Sequence, residues 1–303
     1  MRSVPARAVL STLGLIFISC SEQPQFDSYR AFMDLEKICS FGPRIADTES
    51  HLKAGEYIYN TMKETTDICR VQRFSVYDSV FNINRNMFNI IASYYPKSKN
   101  RIMLCAHWDS RPVSDMESDS SKMHLPVLGA NDGASGTAVL MEMGRILKKY
   151  KPPVGVDIVF FDGEDYGSDE WLSGWFLGSM HFAERMGGYR PRLALLIDMI
   201  GDADLQIYRE VISEKYARDL NDYIWRIAEE QGAIAFVDSV KHAVSDDHVS
   251  LLSRGIKSID IIDFDYPYWH TQQDTPDKCS AESLGEVGRV LVTAVYDERI
   301  TDF

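Results

Sequence analysis

The chain has 303 residues, a formal net charge of −13 and a hydrophobic content of 45%. This acidic balance disfavours nucleic acid as a partner. The length and apolar content allow a full hydrophobic core in one α/β domain, or at most two, and no apolar run beyond the N-terminal region is long enough to cross a membrane.

The N-terminal residues predict an export signal. Two arginines precede an apolar run at residues 8–18, which is too short for a membrane span and ends in small residues. We expect residues 1–19 to be a lipoprotein-type signal peptide, with Cys20 as a lipidated N-terminus that would attach the protein to a membrane. An ordinary signal peptide is the alternative, because Phe17 is unusual three residues before such a cysteine. Either form predicts an exported bacterial protein, periplasmic or anchored to the outer membrane, whose folded domain comprises residues 21–303.

The order of the apolar segments predicts an α/β fold. Two helices and three strands come first, and strands and helices then alternate up to a C-terminal helix. This order is typical of a single globular domain with a mixed, mostly parallel central sheet, opened by an antiparallel pair and covered by helices on both faces. The segment at residues 112–122, rich in Ser, Asp and Glu, is predicted to be a surface loop.

One predicted strand ends in a group of acids. Residues 156–161 form an uninterrupted β-branched and aromatic run, which is typical of a buried parallel strand. Asp162, Glu164 and Asp165 follow it around a single glycine. Taken alone, this pattern also fits a solvated turn. The other strand ends decide between the two interpretations, because open α/β sheets build their sites at the carboxyl ends of parallel strands.

Polar residues follow the other predicted strands in the same way. These residues are His107 and Asp109, Asn131 and Asp132, Asp198, and His270. Zn²⁺ is held by carboxylate oxygen and imidazole nitrogen, and a catalytic zinc site keeps one coordination position open. Asp132, Asp165 and His270 are therefore candidate ligands of one zinc ion.

Two further acids have candidate roles beside this metal. Neighbouring residues cannot easily both face one ion, so we expect Glu164 to stand next to the metal without binding it. From that place it can move protons. Asp198 is either a ligand of a second metal ion or a buried hydrogen-bonding acid.

Six motifs follow one another along the chain: HWD at 107–109, GANDGASG at 129–136, FFDGED at 160–165, LIDMIG at 196–201, SDDH at 245–248 and WHT at 269–271. In this order they resemble the zinc-dependent M28 superfamily, which includes secreted aminopeptidases and the animal-type glutaminyl cyclases. The resemblance extends over nearly the whole predicted mature chain, from GPR at 42–44 to the closing helix.

The two branches use the same residues differently. In the aminopeptidases two zinc ions share the residue that matches Asp132; the matches of His107 and Asp198 bind one ion, and those of Asp165 and His270 bind the other. In the cyclases the matches of Asp132, Asp165 and His270 hold a single zinc ion. The match of Asp198 then joins a carboxylate hydrogen-bond network with that of Glu164. The ligand inventory alone does not separate the branches.

Flanking residues favour the cyclase branch. Two-zinc aminopeptidases usually carry a second acid after the bridging Asp, where this chain has Gly133. Trp171 and Trp269 resemble tryptophans that line the cyclase substrate pocket, although an indole packed in the core is the ordinary alternative. Asp246 resembles the first of the cyclase acid pair that precedes a helix, with Asp247 as the alternative.

The resemblance thus implies a glutaminyl-peptide cyclotransferase, an acyltransferase that converts the N-terminal glutamine of peptides or proteins to pyroglutamate and releases ammonia. The implied catalytic residues are Glu164, which shuttles the proton, with Asp198 and Asp246. One zinc ion is expected. The alternative is a two-zinc M28 aminopeptidase that releases N-terminal amino acids, with its second ion at His107 and Asp198.

The chain departs from the cyclase pattern in two places. Asp165 stands where the cyclases generally have Glu, and residues 112–128 are more numerous than expected of the animal enzymes. The aromatic residues of the next loop, Phe264, Tyr266 and Tyr268, either line the entrance to the site or pack against one another.

Overall fold

A computed structural model describes residues 24–66, 68–78, 83–167 and 174–303. The predicted signal peptide, Cys20 and Trp171 lie outside the described residues, so the expectations for them stay predictions. Within the described ranges, no helix combines the length and the apolar character that a membrane span needs.

Helices and strands alternate through most of the described chain. The helices are α1 (Ser28–Cys39), α2 (Glu49–Thr65), α3 (Ala134–Lys149), α4 (Leu177–Glu184), α5 (Val211–Glu230), α6 (Asp247–Leu252) and α7 (Ala281–Tyr296). The strands are β1 (Ile68–Asp78), β2 (Ile83–Tyr94), β3 (Arg101–His107), β4 (Gly155–Phe161), β5 (Leu193–Asp198), β6 (Ile207–Arg209), β7 (Phe236–Val240) and β8 (Lys257–Ile262).

Short polar side chains begin several of the helices. The side chain of Asp27 accepts the backbone N–H of Arg30 at the start of α1 (3.0 Å), and Ser280 accepts that of Ser283 at the start of α7 (3.0 Å). Such a cap satisfies one of the N–H groups that the first helical turn leaves unpaired.

The main sheet has the strand order β1-β2-β4-β3-β5-β8. β2 pairs antiparallel with both β1 and β4, whereas β4–β3, β3–β5 and β5–β8 are parallel pairs. This arrangement confirms the predicted mixed, mostly parallel sheet. Its consequence for function is that β3, β4, β5 and β8 all end at one edge.

The two faces of the sheet are covered by different helices. Successive strand side chains point to opposite faces. Leu104 therefore packs in the larger core cluster, with residues of α1, α2, α3, α5 and α7, while Cys105 packs in a second cluster with Phe182 of α4 and Leu251 of α6.

Two short strands lie outside the main sheet. β7 pairs with β6 in a separate two-stranded parallel sheet. Beyond Phe236 the residues of β7 are partly or fully exposed, so this strand cannot take a central position in a buried sheet.

A buried arginine joins the two ends of the segment that connects β3 to α3. Arg44 is fully buried, and its guanidinium donates to backbone carbonyls at distances from 2.6 to 3.2 Å. The accepting carbonyls belong to Trp108, Asp109, Leu128, Gly129 and Asp132. Because a guanidinium has five N–H donors in a fixed plane, one side chain can hold both ends of this segment in one geometry.

We predict that Arg44→Met destabilises the protein by about 3 kcal/mol or more, because buried carbonyls left without a donor cost about 1–3 kcal/mol each. Chemical denaturation measures this loss. Arg254→Met is the matched control, since Arg254 is exposed. Equal stability of the two variants would contradict the role assigned to Arg44.

Candidate functional site

Three of the predicted ligands come together at the carboxyl edge of the sheet. Asp132 precedes α3, Asp165 follows β4, and His270 lies in the loop after β8. His270 Nε2 is 3.2 Å from Asp165 Oδ1 and 3.7 Å from Asp132 Oδ2. All three residues are buried, so their charges are removed from water.

This group has the donor set and the geometry that a zinc ion needs. One ligand atom from each of Asp132, Asp165 and His270 lies within 4.8 Å of the others. Asp165 Oδ2 is buried and has no hydrogen-bond partner among the described residues. Two carboxylates and one imidazole are ordinary ligands of a catalytic zinc ion, and the set leaves a coordination position open.

A second group of ligand atoms shares Asp132. His107, the last residue of β3, places its Nε2 atom 3.0 Å from Asp132 Oδ1 and 3.1 Å from Asp198 Oδ1. These three residues also meet the geometric condition for holding a cation. The structure therefore leaves open, as the sequence did, whether the site holds one ion or two. Asp198 Oδ1 also accepts the backbone N–H of Met199 at 2.8 Å.

Asp109 fixes the acidic turn that carries Glu164. Its Oδ1 accepts the backbone N–H of Glu164 at 3.1 Å, and its Oδ2 accepts that of Asp165 at 3.2 Å. The carboxylate of Asp109 therefore holds the backbone of both the predicted catalytic acid, Glu164, and the predicted ligand, Asp165.

Glu164 is only 8% exposed, and burial raises the pKa of its carboxyl group well above the ordinary range. The negative charges of Asp246, Asp165 and Asp247 add to this effect. The predicted hydrogen bonds among Glu164, Asp198 and Asp246 stay a prediction.

Asp246 lies at the start of α6, where its side chain accepts the backbone N–H of Asp247. Burial, together with the charge of Asp198, raises the pKa of Asp246 to about 7. Buried carboxylates close to one another cannot all ionise at neutral pH. Asp246 and its neighbouring carboxylates therefore hold protons as well as negative charge.

Two indoles flank the candidate ligand His270. The ring of Trp269 stacks on the imidazole with centroids 3.8 Å apart, and the ring of Trp175 lies 6.4 Å away with its plane inclined by 12°. The sequence-based interpretation selected Trp269 but missed Trp175. The segment WLSGWF contains two tryptophans, and the sequence analysis selected the first, Trp171, which lies outside the described residues. The second tryptophan of this segment was the available signal for Trp175.

The polar segment after β3 contributes to the site as well as to the surface. Asp115 Oδ1 lies 3.1 Å from His270 Nδ1, an arrangement that leaves Nε2 free for a metal. Arg111 is buried, pairs with Asp115, and places Nη1 3.0 Å from Asp165 Oδ1. Sequence reasoning missed both residues, because only the folded path of the loop brings them to the ligands.

Asp274 and Tyr266 hold the loop that carries Asp132. Asp274 accepts the backbone N–H groups of Asn131 (2.8 Å) and Asp132 (3.2 Å), and it accepts the hydroxyl of Tyr266 at 2.8 Å. Tyr266 is therefore a packed residue that supports Asp132. Of the two interpretations of the aromatic loop, packing is the one that holds for Tyr266.

Gly133 stands where no side chain fits. Its φ is +89°, and a Cβ atom there would lie 2.5 Å from the carbonyl oxygen of Asp109 and 2.9 Å from Cε1 of His107. An acid at this position would require the loop beside His107 to move.

Known proteins resemble this chain in sequence and in structure. A model of Peptidase family M28 matches residues 89–295. The crystal structure of the Bacteroides thetaiotaomicron glutaminyl cyclase superposes with a TM-score of 0.87 at 34% identity, covering 91% of this chain and 100% of that one. A leucine aminopeptidase precursor from Bacteroides thetaiotaomicron VPI-5482 gives a TM-score of 0.87 at 35% identity, with 91% and 98% covered.

A curated relative matches over a shorter share of its own length. Aminopeptidase YwaD of Bacillus subtilis (strain 168) is 27% identical over 262 residues, which is 81% of this chain but 52% of that protein. The match therefore spans about half of the relative. Both cyclases and aminopeptidases are thus similar to this chain, and the predicted resemblance to the superfamily is confirmed. With the family model matched over most of the described residues, the chain belongs to Peptidase family M28.

Proposed function

We propose that this M28 protein is a zinc-dependent glutaminyl-peptide cyclotransferase, which converts N-terminal glutamine to pyroglutamate and releases ammonia. The observation that carries the proposal is the indole of Trp269, stacked at 3.8 Å on the candidate ligand His270. An apolar wall beside the ligands excludes water. The exclusion of water favours attack by the substrate's own amine over hydrolysis. The similarity to the Bacteroides cyclase over its whole length supports the same reaction.

Glu164 moves the proton in this reaction. The α-amino nitrogen attacks the carbon of the side-chain amide, and Glu164 accepts the proton that the nitrogen loses. The bond to the amide nitrogen then breaks, and Glu164 returns the proton to the departing ammonia. Burial and the charge of Asp246 raise the pKa of this carboxyl group, so its carboxylate accepts a proton more readily than an ordinary glutamate does.

Asp132, Asp165 and His270 would hold the zinc ion. When bound, zinc supplies Lewis-acid chemistry by drawing electron density from the amide carbonyl. The pairing of His270 with Asp115, and of Asp165 with Arg111, keeps these ligands oriented. We propose a single ion, with His107 and Asp198 left as a hydrogen-bonded pair.

The substrates would be peptides or proteins that begin with glutamine. We further propose that the enzyme meets them outside the cytoplasm, because the N-terminal segment carries the features of an export signal.

A second candidate function is supported by one specific observation. His107, Asp132 and Asp198 form a complete second group of ligand atoms, as a two-zinc aminopeptidase requires. Such an enzyme would release free N-terminal amino acids. Similarity to the leucine aminopeptidase precursor supports this alternative.

Mass spectrometry of a short peptide that begins with Gln separates the two functions. The peptide is incubated with purified protein loaded with zinc. The proposal predicts loss of ammonia with every peptide bond intact. Release of free glutamine would instead establish the aminopeptidase.

We predict that Glu164→Gln lowers the rate of cyclisation by about 10²-fold or more, because the amide cannot accept the proton. Steady-state kinetics on the same peptide measures the loss. Glu229→Gln, at an exposed position of α5, is the matched control and should leave the rate unchanged. Unchanged activity of the Glu164 variant would remove this residue from the mechanism.

We predict that Trp269→Ala lowers kcat/KM by about 10-fold or more and raises the share of glutamate product over pyroglutamate, because water gains access to the ligands. Trp269→Phe keeps an apolar ring and serves as the control. Both products are quantified by mass spectrometry. An unchanged product ratio in the alanine variant would contradict the proposed role of the indole.

A further inference from the structure

Behind Glu164 and Asp246 lies a cluster of buried residues that the mechanism above does not use. Glu210 precedes α5, His248 lies on α6 and Asp260 lies on β8. His248 and Asp260 are fully buried, and Glu210 is almost so. Three ionisable groups in a dry region need partners, because an isolated buried charge costs several kcal/mol.

The imidazole of His248 lies between the two carboxyl groups. Its Nε2 atom is 3.5 Å from Oε2 of Glu210, and its Nδ1 atom is 3.9 Å from Oδ2 of Asp260. Each ring nitrogen therefore has one carboxyl group beside it, and small movements would bring both into hydrogen-bond range.

The two carboxyl groups differ in their surroundings. Glu210 accepts the backbone N–H groups of Ile212 (2.7 Å), Ser213 (2.6 Å) and Val244 (3.0 Å), and also the hydroxyl of Ser213 (2.8 Å). Neither carboxyl oxygen of Asp260 has a hydrogen-bond partner among the described residues. Four donors stabilise a negative charge on Glu210, whereas nothing comparable stabilises one on Asp260.

The pKa values follow this difference. Burial opposes ionisation of Glu210, but His248 and the backbone donors outweigh it and lower the pKa. Burial raises the pKa of Asp260 well above its ordinary range, and the charges of Asp246, Asp198, Glu210 and Asp247 add to the effect.

Glu210 holds the chain on both sides of Asp246. It accepts the backbone N–H of Val244, two residues before Asp246, and it pairs with the side chain of His248, two residues after it. Glu210 therefore contacts the chain on both sides of Asp246, through a hydrogen bond from Val244 and a 3.5 Å approach to the ring of His248, whose nitrogens have no hydrogen-bond partner among the described residues.

We propose that Glu210, His248 and Asp260 form a clamp that positions Asp246 for catalysis, with Asp260 as a neutral acid donating to Nδ1 of His248. His248 then donates from Nε2 to the carboxylate of Glu210. The three are positioning residues, since they act through Asp246, and their kinetic role rests on the proposed cyclase function. The carboxyl groups beside the ring are Glu210, before α5, and Asp260, on β8. Asp246, before α6, acts electrostatically on His248 and Asp260, and the charges of Asp247 on α6 and Asp198 on β5 also reach Asp260.

Two substitutions at Asp260 test the clamp. Asp260→Asn keeps an N–H donor next to Nδ1 and should stay within about 3-fold of the wild-type kcat for the Gln peptide. Asp260→Leu removes the donor and should lower kcat by about 10-fold or more with KM unchanged. A loss in the Asn variant as large as in the Leu variant would overturn the proposal, as would full activity of the Leu variant.

The tautomer of His248 gives a readout that needs no activity. Long-range ¹⁵N NMR of the histidine-labelled wild type should show Nε2 protonated and Nδ1 unprotonated at neutral pH, with the signal assigned by its loss in His248→Gln. The same tautomer should persist in Asp260→Asn. The opposite tautomer, or a ring protonated at both nitrogens, would overturn the clamp even if Asp260→Leu does not fold.

The two proposals can fail separately. If the wild type releases free amino acids and does not cyclise the Gln peptide, the proposed function is wrong, while the tautomer still reports on the clamp. The Asp260 variants are then compared by that release, with the same expected ratios.

Discussion

The repulsion among buried carboxylates at one edge of the sheet is the constraint on which this site depends. Four parallel strands end at that edge, where Asp132, Glu164, Asp165 and Asp198 come together, and the segment between β7 and α6 adds Asp246. So many negative charges cannot remain uncompensated in a region without water. The fold compensates them in three ways: ligand atoms converge where a cation can bind, Arg111 pairs with Asp165, and burial with neighbouring negative charge raises the pKa values of Glu164 and Asp246.

Neutral groups complete this compensation. Asp109 is held by two backbone N–H groups of the acidic turn, and Asp274 by two of the loop before α3. Arg44 is charged but does not pair with these carboxylates. Its guanidinium donates to backbone carbonyls of the segment between β3 and α3. The positions of the candidate ligands are therefore set by residues that are not themselves candidate ligands, and this explains how loops can hold such a site rigidly.

The sequence predicted those parts of the site that depend on where strands end. Asp132, Asp165 and His270 meet because parallel strands finish at one edge, which the alternation of strands and helices already implied. Asp115, Arg111 and Trp175 were missed, because their contacts depend on loop conformations that no periodic pattern encodes. The separate pairing of β6 with β7 was missed for a similar reason, since β6 has only three residues.

The candidate metal ligands do not by themselves define the reaction of this chain. The chain resembles a solved cyclase and a solved leucine aminopeptidase precursor to the same degree, and it carries both groups of candidate ligand atoms. The proposed cyclisation rests on the surroundings of these residues: the indole of Trp269 on His270 and the absence of space for a side chain at Gly133. We propose that the indole keeps water from the substrate amide, whereas Gly133 leaves the loop beside His107 without a further carboxylate.

The number of bound zinc ions distinguishes the one-ion site from the two-ion site. Zinc-loaded crystals would be measured by anomalous diffraction at the zinc absorption edge. One strong peak is expected, within bonding distance of Asp132, Asp165 and His270, with His107 and Asp198 still paired to each other. A second peak of comparable occupancy between His107 and Asp198 would contradict this expectation and would identify a two-zinc aminopeptidase site.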